Sequence, residues 1–338
     1  MPVRHHLLAV LVAVLWGVNF IAIHASLEQF PPFFTVALRW LPLAVAAVLF
    51  VPRPDVAWRW VLLYGLGFGM LQFIFLYWGM ATGMPAGLAS LVLQSSAPFT
   101  VVLGALLGER LSPRRGLGVL VAVAGLALVG SQRGDASAAW PFVLTVLGGL
   151  GWAFGNLAVR RARSTQPLRL TMWMSVVPPL PMLLLSLVVE GPQRIGDSLA
   201  SVRSPVGGMA VLGLVYTTLI ATVVGTGIWS WLMARHPAGT VAPFSMLVPV
   251  TGLTAAWVLL GERPAALEWV GCAVVVVGVL LTAGGRHTPT PHASAERVAR
   301  ATIDADASSQ SRENAAVTSS SRSLASGSEM VARTPSVP

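Results

Sequence analysis

The sequence contains ten separate stretches of apolar residues, each about long enough to cross a lipid bilayer. A hydrocarbon core about 30 Å thick requires about 20 helical residues to span it. Because lipid offers no partner for backbone polar groups, uninterrupted apolar runs of this length predict helices. We therefore expect an all-α integral membrane protein with ten transmembrane helices, at about residues 7–25, 33–51, 60–81, 86–107, 115–131, 139–159, 170–189, 207–234, 239–260 and 266–284.

The composition supports this fold class and excludes several functions. Hydrophobic residues make up 55% of the chain and charged residues only 10%, which is far from the average of soluble domains. The net charge of +9 comes from arginines scattered between the apolar runs, so no basic stripe for nucleic acid is present. Cys272 is the single cysteine, which rules out an internal disulfide. We expect neither a metal nor a cofactor.

A doubled motif indicates that the fold is built from two related halves. Pro-Ala-Gly at 85–87 is followed by Gly-Glu-Arg at 108–110, and the same tripeptides recur at 237–239 and 261–263. Glycines nine and sixteen residues after each glutamate also match between the copies. Repetition at fixed offsets predicts an internal repeat. The matched glycines are Gly118 and Gly125 in the first copy and Gly271 and Gly278 in the second.

Each copy holds five of the ten predicted spans. We place the first repeat at 7–131 and the second at 139–284, followed by a tail over 285–338. An odd number of spans per copy means that the second copy enters the membrane upside down, as in the inverted repeats of secondary transporters. The tail is rich in Ser, Thr, Ala and Pro, and this composition predicts a disordered cytoplasmic segment.

The arginines in the short connections predict the orientation of the chain. With the N-terminus in the cytoplasm, twelve of these arginines lie on the cytoplasmic side and four on the other side. Because cytoplasmic loops carry an excess of positive charge, both termini are predicted to be cytoplasmic.

Several sequence motifs resemble those of a known family. They are the residues 15–20 (Leu-Trp-Gly-Val-Asn-Phe), the Leu-Arg-Trp at 38–40 that follows two prolines, the segment 83–94, and both Gly-Glu-Arg turns. Over about residues 7–284 the chain resembles the EamA-like branch of the drug/metabolite transporter superfamily. The resemblance implies a multi-pass protein of the bacterial inner membrane that transports a solute and catalyses no reaction. It is greatest to members that export O-acetylserine and cysteine, and it implies efflux of a small amino acid or related metabolite.

Three other functions are weighed against amino-acid export. A multidrug exporter of aromatic or cationic compounds commonly uses a buried carboxylate, yet none of the 13 carboxylates falls in the middle of a span. An intramembrane enzyme is disfavoured because the chain has no His-Glu-x-x-His and no Gly-x-Ser-x-Gly motif. A membrane sensor or scaffold that signals through the tail is the third alternative. The predicted partners are a small-molecule solute and lipid, and the sequence is compatible with a homodimer.

Arg39 is the one strongly charged residue clearly inside a predicted span. Its planar guanidinium could bind a solute carboxylate. The structural alternative is that it extends toward the membrane surface or pairs with Glu28.

Uncharged polar and aromatic residues in the spans complete the candidate site. Amides supply both donors and acceptors, as a zwitterionic amino acid requires, although they also form hydrogen bonds between membrane helices. Aromatic rings could wall a cavity, although tryptophans also mark membrane interfaces. The candidate substrate-binding residues are Asn19, Arg39, Gln72, Gln94, Asn156, Trp16, Tyr77, Trp152 and Trp229.

Charged residues at the span ends have predicted structural roles. Glu109-Arg110 and Glu262-Arg263 are expected to cap the turns that close each repeat, with gating as the alternative role. The other carboxylates are assigned to loops or to the tail. His24 near the end of the first span is a further group that could titrate during transport.

Overall fold

The computed structural model describes residues 1–109, 111–132 and 136–283. Arg110 of the first Gly-Glu-Arg motif and the predicted tail at 285–338 lie outside the described residues. Every one of the ten predicted apolar runs is helical. The helices are α1 Val3–Leu27, α2 Pro32–Phe50, α3 Trp58–Ala81, α4 Ala86–Leu106, α5 Pro113–Gly130, α6 Ala136–Ala162, α7 Pro167–Val189, α8 Pro205–Arg235, α9 in three consecutive pieces (Ala238–Val241, Ala242–Met246 and Leu247–Leu260) and α10 Ala266–Ala283.

The prediction of an all-helical membrane protein is confirmed. Within the described ranges, nine helices are long and apolar enough to cross a membrane, and the apolar stretch Ala266–Thr282 of α10 is a shorter tenth. A short amphipathic helix, Pro192–Ala200, connects α7 to α8. Strands are absent from the described part of the chain.

Two pairs of equivalent helices depart from regular α geometry. The third helix of each half contains a π-helical segment, Gly65–Leu71 in α3 and Tyr216–Gly225 in α8. The fourth helix of each half contains a 3-10 segment, Leu93–Ser95 in α4 and Ala242–Met246 in α9. The π segments were not predicted from the sequence, and such segments are frequent at functional sites.

The repeated glycines pack the last helices of the two halves against each other. A Cβ atom on Gly118 of α5 would lie 2.7 Å from the carbonyl oxygen of Gly278 of α10, and one on Gly125 would lie 3.1 Å from that of Gly271. Because Gly118 corresponds to Gly271 and Gly125 to Gly278, each contact is the two-fold counterpart of the other. The interface therefore has the symmetry that a two-repeat fold requires.

Successive helices alternate between the two ends of the bundle. We call the end at which α1 begins the N-terminal face and the opposite end the far face. At the far face, the Glu262 carboxylate accepts hydrogen bonds from the N–H groups of Ala86 (2.7 Å) and Gly87 (3.0 Å), at the start of α4. The backbone N–H of Glu262 donates to the Ala256 carbonyl at the end of α9 (3.3 Å), as expected for a residue that caps this turn. The carboxylate has a further role that the sequence does not predict. It caps a helix of the other repeat, and the second Gly-Glu-Arg motif meets the first Pro-Ala-Gly motif.

Two other carboxylates join the repeats in the same manner. Glu190, after α7, accepts hydrogen bonds from the N–H groups of Phe33 (2.7 Å) and Phe34 (3.0 Å) in the first turn of α2. Asp55, after α2, accepts hydrogen bonds from the Ser164 hydroxyl (2.6 Å) and the Thr165 N–H (3.0 Å), just before α7. Each carboxylate satisfies N–H groups at or just before a helix start, where no intrahelical partner exists.

Candidate functional site

Arg39 lies within α2 and points into the bundle rather than toward the membrane surface. Only 5% of the residue is exposed. One terminal nitrogen donates to the Tyr77 hydroxyl and the other to the Thr222 hydroxyl, both at 3.1 Å. The guanidinium carbon lies 4.1 Å from the centre of the Phe73 ring, close enough for a cation–π interaction.

The buried guanidinium of Arg39 has no acidic partner among the described residues. Within the described ranges, no carboxylate lies at ion-pair distance, and the Nε atom of Arg39 is buried without a hydrogen-bond acceptor. The alternative pairing with Glu28 does not occur, since Glu28 lies 3.7 Å from His24 instead. A buried charge without a counter-ion is unfavourable and is kept in membrane proteins chiefly where function needs it.

The π segment of α8 joins Arg39 to a second group of predicted site residues. The indole N–H of Trp16 donates to the carbonyl of Ala221 at 3.0 Å, and the Trp16 ring lies 5.3 Å from that of Trp229. Ala221 immediately precedes Thr222, the acceptor of Arg39. Trp16, Trp229, Arg39 and Tyr77 are therefore assembled around one short segment.

Arg39, Phe73, Tyr77 and Thr222 form a group that we call the Arg39 cluster, and a cavity of about 230 Å³ lies beside it. Trp40 and Thr222, which both contact Arg39, line it, and α7 contributes Met172 and Ser175. The indole N–H of Trp40 is buried and, among the residues that the structure describes, has no acceptor. Arg39 Nε and Trp40 Nε1, two donors that the described part of the chain leaves unpaired, thus belong to residues in or next to one cavity.

Three of the predicted amides are buried in the first half. The side-chain oxygens of Asn19 in α1 and Gln72 in α3 are buried, and the described residues provide no donor to either. Gln94 is also buried, in the 3-10 segment of α4. Asn19 and Gln72 therefore have unused acceptor capacity inside the bundle.

The predicted residues of the sixth helix lie apart from Arg39. Asn156 donates to the Thr100 hydroxyl of α4 at 3.2 Å, which is the helix-to-helix hydrogen bond of the structural alternative. The Trp152 ring lies 6.0 Å from Phe68, whose ring lies 5.9 Å from Phe73. Trp152 is thus connected to the Arg39 cluster through two phenylalanines.

Sequence reasoning missed three contacts of Arg39 and misplaced one acidic residue. Phe73, Trp40 and Thr222 were not selected, although the threonines between Tyr216 and Thr226 are a polar signal within an apolar span. Glu268, which was assigned to a loop or the tail, is buried in the first turn of α10, where its carboxylate accepts from the Ala265 N–H at 3.1 Å.

A second cavity lies at the N-terminal face. It measures about 180 Å³ and is lined by Glu109, Arg115 and Arg160 among others. The Glu109 carboxylate pairs with Arg160 at 3.2 Å, with both side chains 46% exposed. Like Glu262, Glu109 therefore binds a group outside its own turn with its carboxylate, while its backbone N–H caps the turn by donating to the Gly104 carbonyl at 3.0 Å.

The two-repeat bundle of apolar helices, with a cation and amides buried between them, is the architecture of a secondary membrane transporter. Residues 4–131 and 139–284 match the EamA-like transporter family, and the chain belongs to that family. It is a multi-pass membrane transporter and not an enzyme.

Relatives with curated names support this class. The chain is 38% identical over 285 residues to a "Probable amino-acid metabolite efflux pump" of Escherichia coli (strain K12), and 39% identical to the protein of the same name in Salmonella typhimurium; each match covers 82% of this chain and 94% of the relative. A solved structure titled "Crystal structure of protein" has a TM-score of 0.54 at 20% identity, covering 86% of this chain and all of that one, and this likeness concerns the fold alone.

Proposed function

We propose that this protein exports a small amino acid or a related metabolite, of the cysteine or O-acetylserine kind, by alternating access. The observation that carries the proposal is the buried Arg39, which lacks an acidic partner among the described residues. A solute carboxylate would supply the missing negative charge. It would accept from Arg39 Nε and Trp40 Nε1, which are otherwise unpaired donors.

The amides would recognise the ammonium group of the same solute. The side-chain oxygens of Asn19 and Gln72 are acceptors without donors, so an ammonium could bind them without a charged partner. Trp16 and Trp229 would enclose the solute beside the π segment of α8, and Gln94, Tyr77, Asn156 and Trp152 would form the surrounding shell.

The size and charge of the site favour an amino acid over a multidrug substrate. The cavity of about 230 Å³ is smaller than the pockets of about 300–1,000 Å³ that hold drug-sized ligands. A buried cation also repels a lipophilic cation. The names of the two efflux pumps, which refer to amino-acid metabolites, support the same solute class.

The repeats and the charge distribution define how the chain would sit in the inner membrane. Repeats at 7–131 and 139–284 would rock against each other around the site, with both termini and the tail at 285–338 in the cytoplasm. The N-terminal face would then be cytoplasmic, since that face carries most loop arginines. Solute would enter from the N-terminal face and leave at the far face.

Counterflow in proteoliposomes tests the proposed substrate class. Vesicles containing the purified protein would be loaded with unlabelled cysteine, O-acetylserine or threonine, and uptake of the labelled solute would be followed. We expect counterflow of at least one amino acid and none of a lipophilic cation. Counterflow of the cation alone would contradict the proposal.

Substitution of Arg39 tests the binding site itself. Arg39→Gln should abolish saturable counterflow, whereas Arg59→Gln, which changes an exposed arginine, should leave it unchanged. Esters of the same amino acids, which lack the carboxylate, should compete poorly with the labelled amino acid for binding to the wild-type protein. Unchanged apparent affinity in a folded Arg39→Gln protein would show that Arg39 does not bind the solute.

A further inference from the structure

The two faces of the bundle carry equivalent turns that make different contacts. Gly108 and Gly261, which lie just after α4 and α9, both have a positive φ, of 90° and 69°. A glutamate follows each of them. Both turns therefore use a left-handed glycine, yet the two glutamate carboxylates contact different groups.

At the far face the turn is engaged with the other repeat. Glu262 binds the N–H groups of Ala86 and Gly87, and we call this contact the far-face clamp. Space is tight beside Gly87, since a Cβ atom on it would lie 3.1 Å from both the Glu262 carboxylate and the Cα atom of Leu253. The clamp holds the start of α4 against the end of α9, so the two repeats are in direct contact at this face.

At the N-terminal face Glu109 makes a different contact from that of Glu262. The two-fold counterparts of Ala86 and Gly87 are Ala238 and Gly239, at the start of α9. Glu109 instead pairs with Arg160 of α6 and lines the cavity of about 180 Å³. An ion pair between half-exposed side chains contributes only about 0–1 kcal/mol, so it can be exchanged easily.

We propose that Glu109 forms a second clamp in the opposite transport state, by moving from Arg160 to the backbone N–H groups of Ala238 and Gly239. Closure at the N-terminal face would then accompany release of the far-face clamp. Arg160 holds Glu109 while the N-terminal face is open. Each glutamate thus favours one state of the transporter, and the inference rests on the alternating access proposed above.

Labelling of a buried reporter cysteine tests this exchange without any solute. Leu253 is 1% exposed and packs beside Gly87, so Leu253→Cys in a Cys272→Ser background should react with maleimide only when the far face opens. Glu262→Gln, which weakens the far-face clamp, should raise the labelling rate roughly tenfold, which corresponds to about 1.4 kcal/mol of population shift.

The decisive comparison is between the two members of the Glu109–Arg160 pair. Arg160→Gln frees Glu109 to clamp α9 and should raise labelling, whereas Glu109→Gln removes the clamp and should lower it. The double variant should behave like Glu109→Gln. Arg161→Gln, which changes the exposed neighbour of Arg160, should have no effect.

A structural ion pair predicts a different result. If the pair is only structural, removal of Glu109 and removal of Arg160 should have the same effect on the labelling rate. If Arg160→Gln and Glu109→Gln change the labelling rate in the same direction, or if neither changes it, the proposed exchange is wrong. Because labelling needs no solute, failure of the amino-acid counterflow would leave this result intact, and the two proposals fail separately.

Discussion

The guanidinium carbon of Arg39 lies 4.1 Å from the centre of the Phe73 ring, so an aromatic face and two hydroxyl groups stabilise this cation in place of a carboxylate. Removal of the Phe73 ring should leave the Arg39 guanidinium less firmly positioned. A desolvated cation–π contact contributes about 2 kcal/mol, so Phe73→Leu should raise the apparent KM for solute roughly tenfold or more.

The controls separate this effect from general packing. Phe73→Tyr keeps the ring and should retain most of the affinity. Phe50→Leu changes a phenylalanine that is 80% exposed and should behave as wild type. Equal effects of Phe73→Leu and Phe73→Tyr in the counterflow assay would show that the π face is unimportant.

The equivalent asparagines Asn19 and Asn156 should respond in opposite ways to replacement by leucine. Asn19→Leu removes a buried acceptor that the described residues leave unpaired, which should raise the melting temperature while weakening solute binding. Asn156→Leu removes the hydrogen bond to Thr100, worth about 0.6 kcal/mol, and should lower the melting temperature slightly. Thermal unfolding in detergent and counterflow measure both effects, and a destabilised Asn19→Leu would argue for a structural role.

The glycine contact between α5 and α10 should tolerate no side chain. A Cβ atom on Gly278 would collide with the backbone of Ala122 and Gly118, so Gly278→Val should destabilise the protein by about 1–3 kcal/mol or more. Gly208 has open space around it, and Gly208→Val is the matched control in another helix. Size-exclusion profiles after heating should show that the folded Gly278→Val protein is lost at a temperature several degrees below that for Gly208→Val. Equal melting temperatures would contradict the packing described above.

The contact between Asp55 and the residues before α7 predicts a defined pH dependence. Hydrogen bonds from the Ser164 hydroxyl, then from the hydroxyl and N–H of Thr165, lower the pKa of Asp55 from 3.8 to about 2. The carboxylate therefore stabilises the fold fully above about pH 4, and this contribution is lost as the pH falls toward about 2.

Thermal unfolding at several pH values measures this contribution. The difference in melting temperature between wild type and Asp55→Asn should be the same at about pH 7 and about pH 5, and it should shrink at about pH 3. Asp197→Asn, which changes an exposed residue of the connecting helix, should have little effect throughout. A difference that already declines between about pH 7 and about pH 5 would contradict the assigned hydrogen bonds.

The sequence predicted the helices well because apolar runs of spanning length have only one stable conformation in lipid. It also singled out Arg39, since one charge within an apolar span is conspicuous. It did not predict the π segments of α3 and α8. Their apolar composition resembles that of any spanning helix, and the π geometry depends on the neighbours against which they pack.

The contacts of the glutamates were also beyond sequence reasoning. Glu262 and Ala86 are 176 residues apart, and a carboxylate at a helix end has a plausible partner in its own turn. Only the assembled bundle brings the start of α4 beside the end of α9. The three contacts of Arg39 with Phe73, Trp40 and Thr222 depend in the same way on the packing of separate helices.

The glycine contact of α5 with α10 has a consequence for how such a chain could arise. Gly118 meets Gly278 and Gly125 meets Gly271, so each half offers the other a surface equivalent to its own. Two separate copies of a single five-helix protein, inserted in opposite directions, could make the same contact. The long chain is thus structurally equivalent to an antiparallel dimer whose subunits have been fused. Fusion leaves each half free to diverge, and Arg39, which is present in only one half, illustrates this.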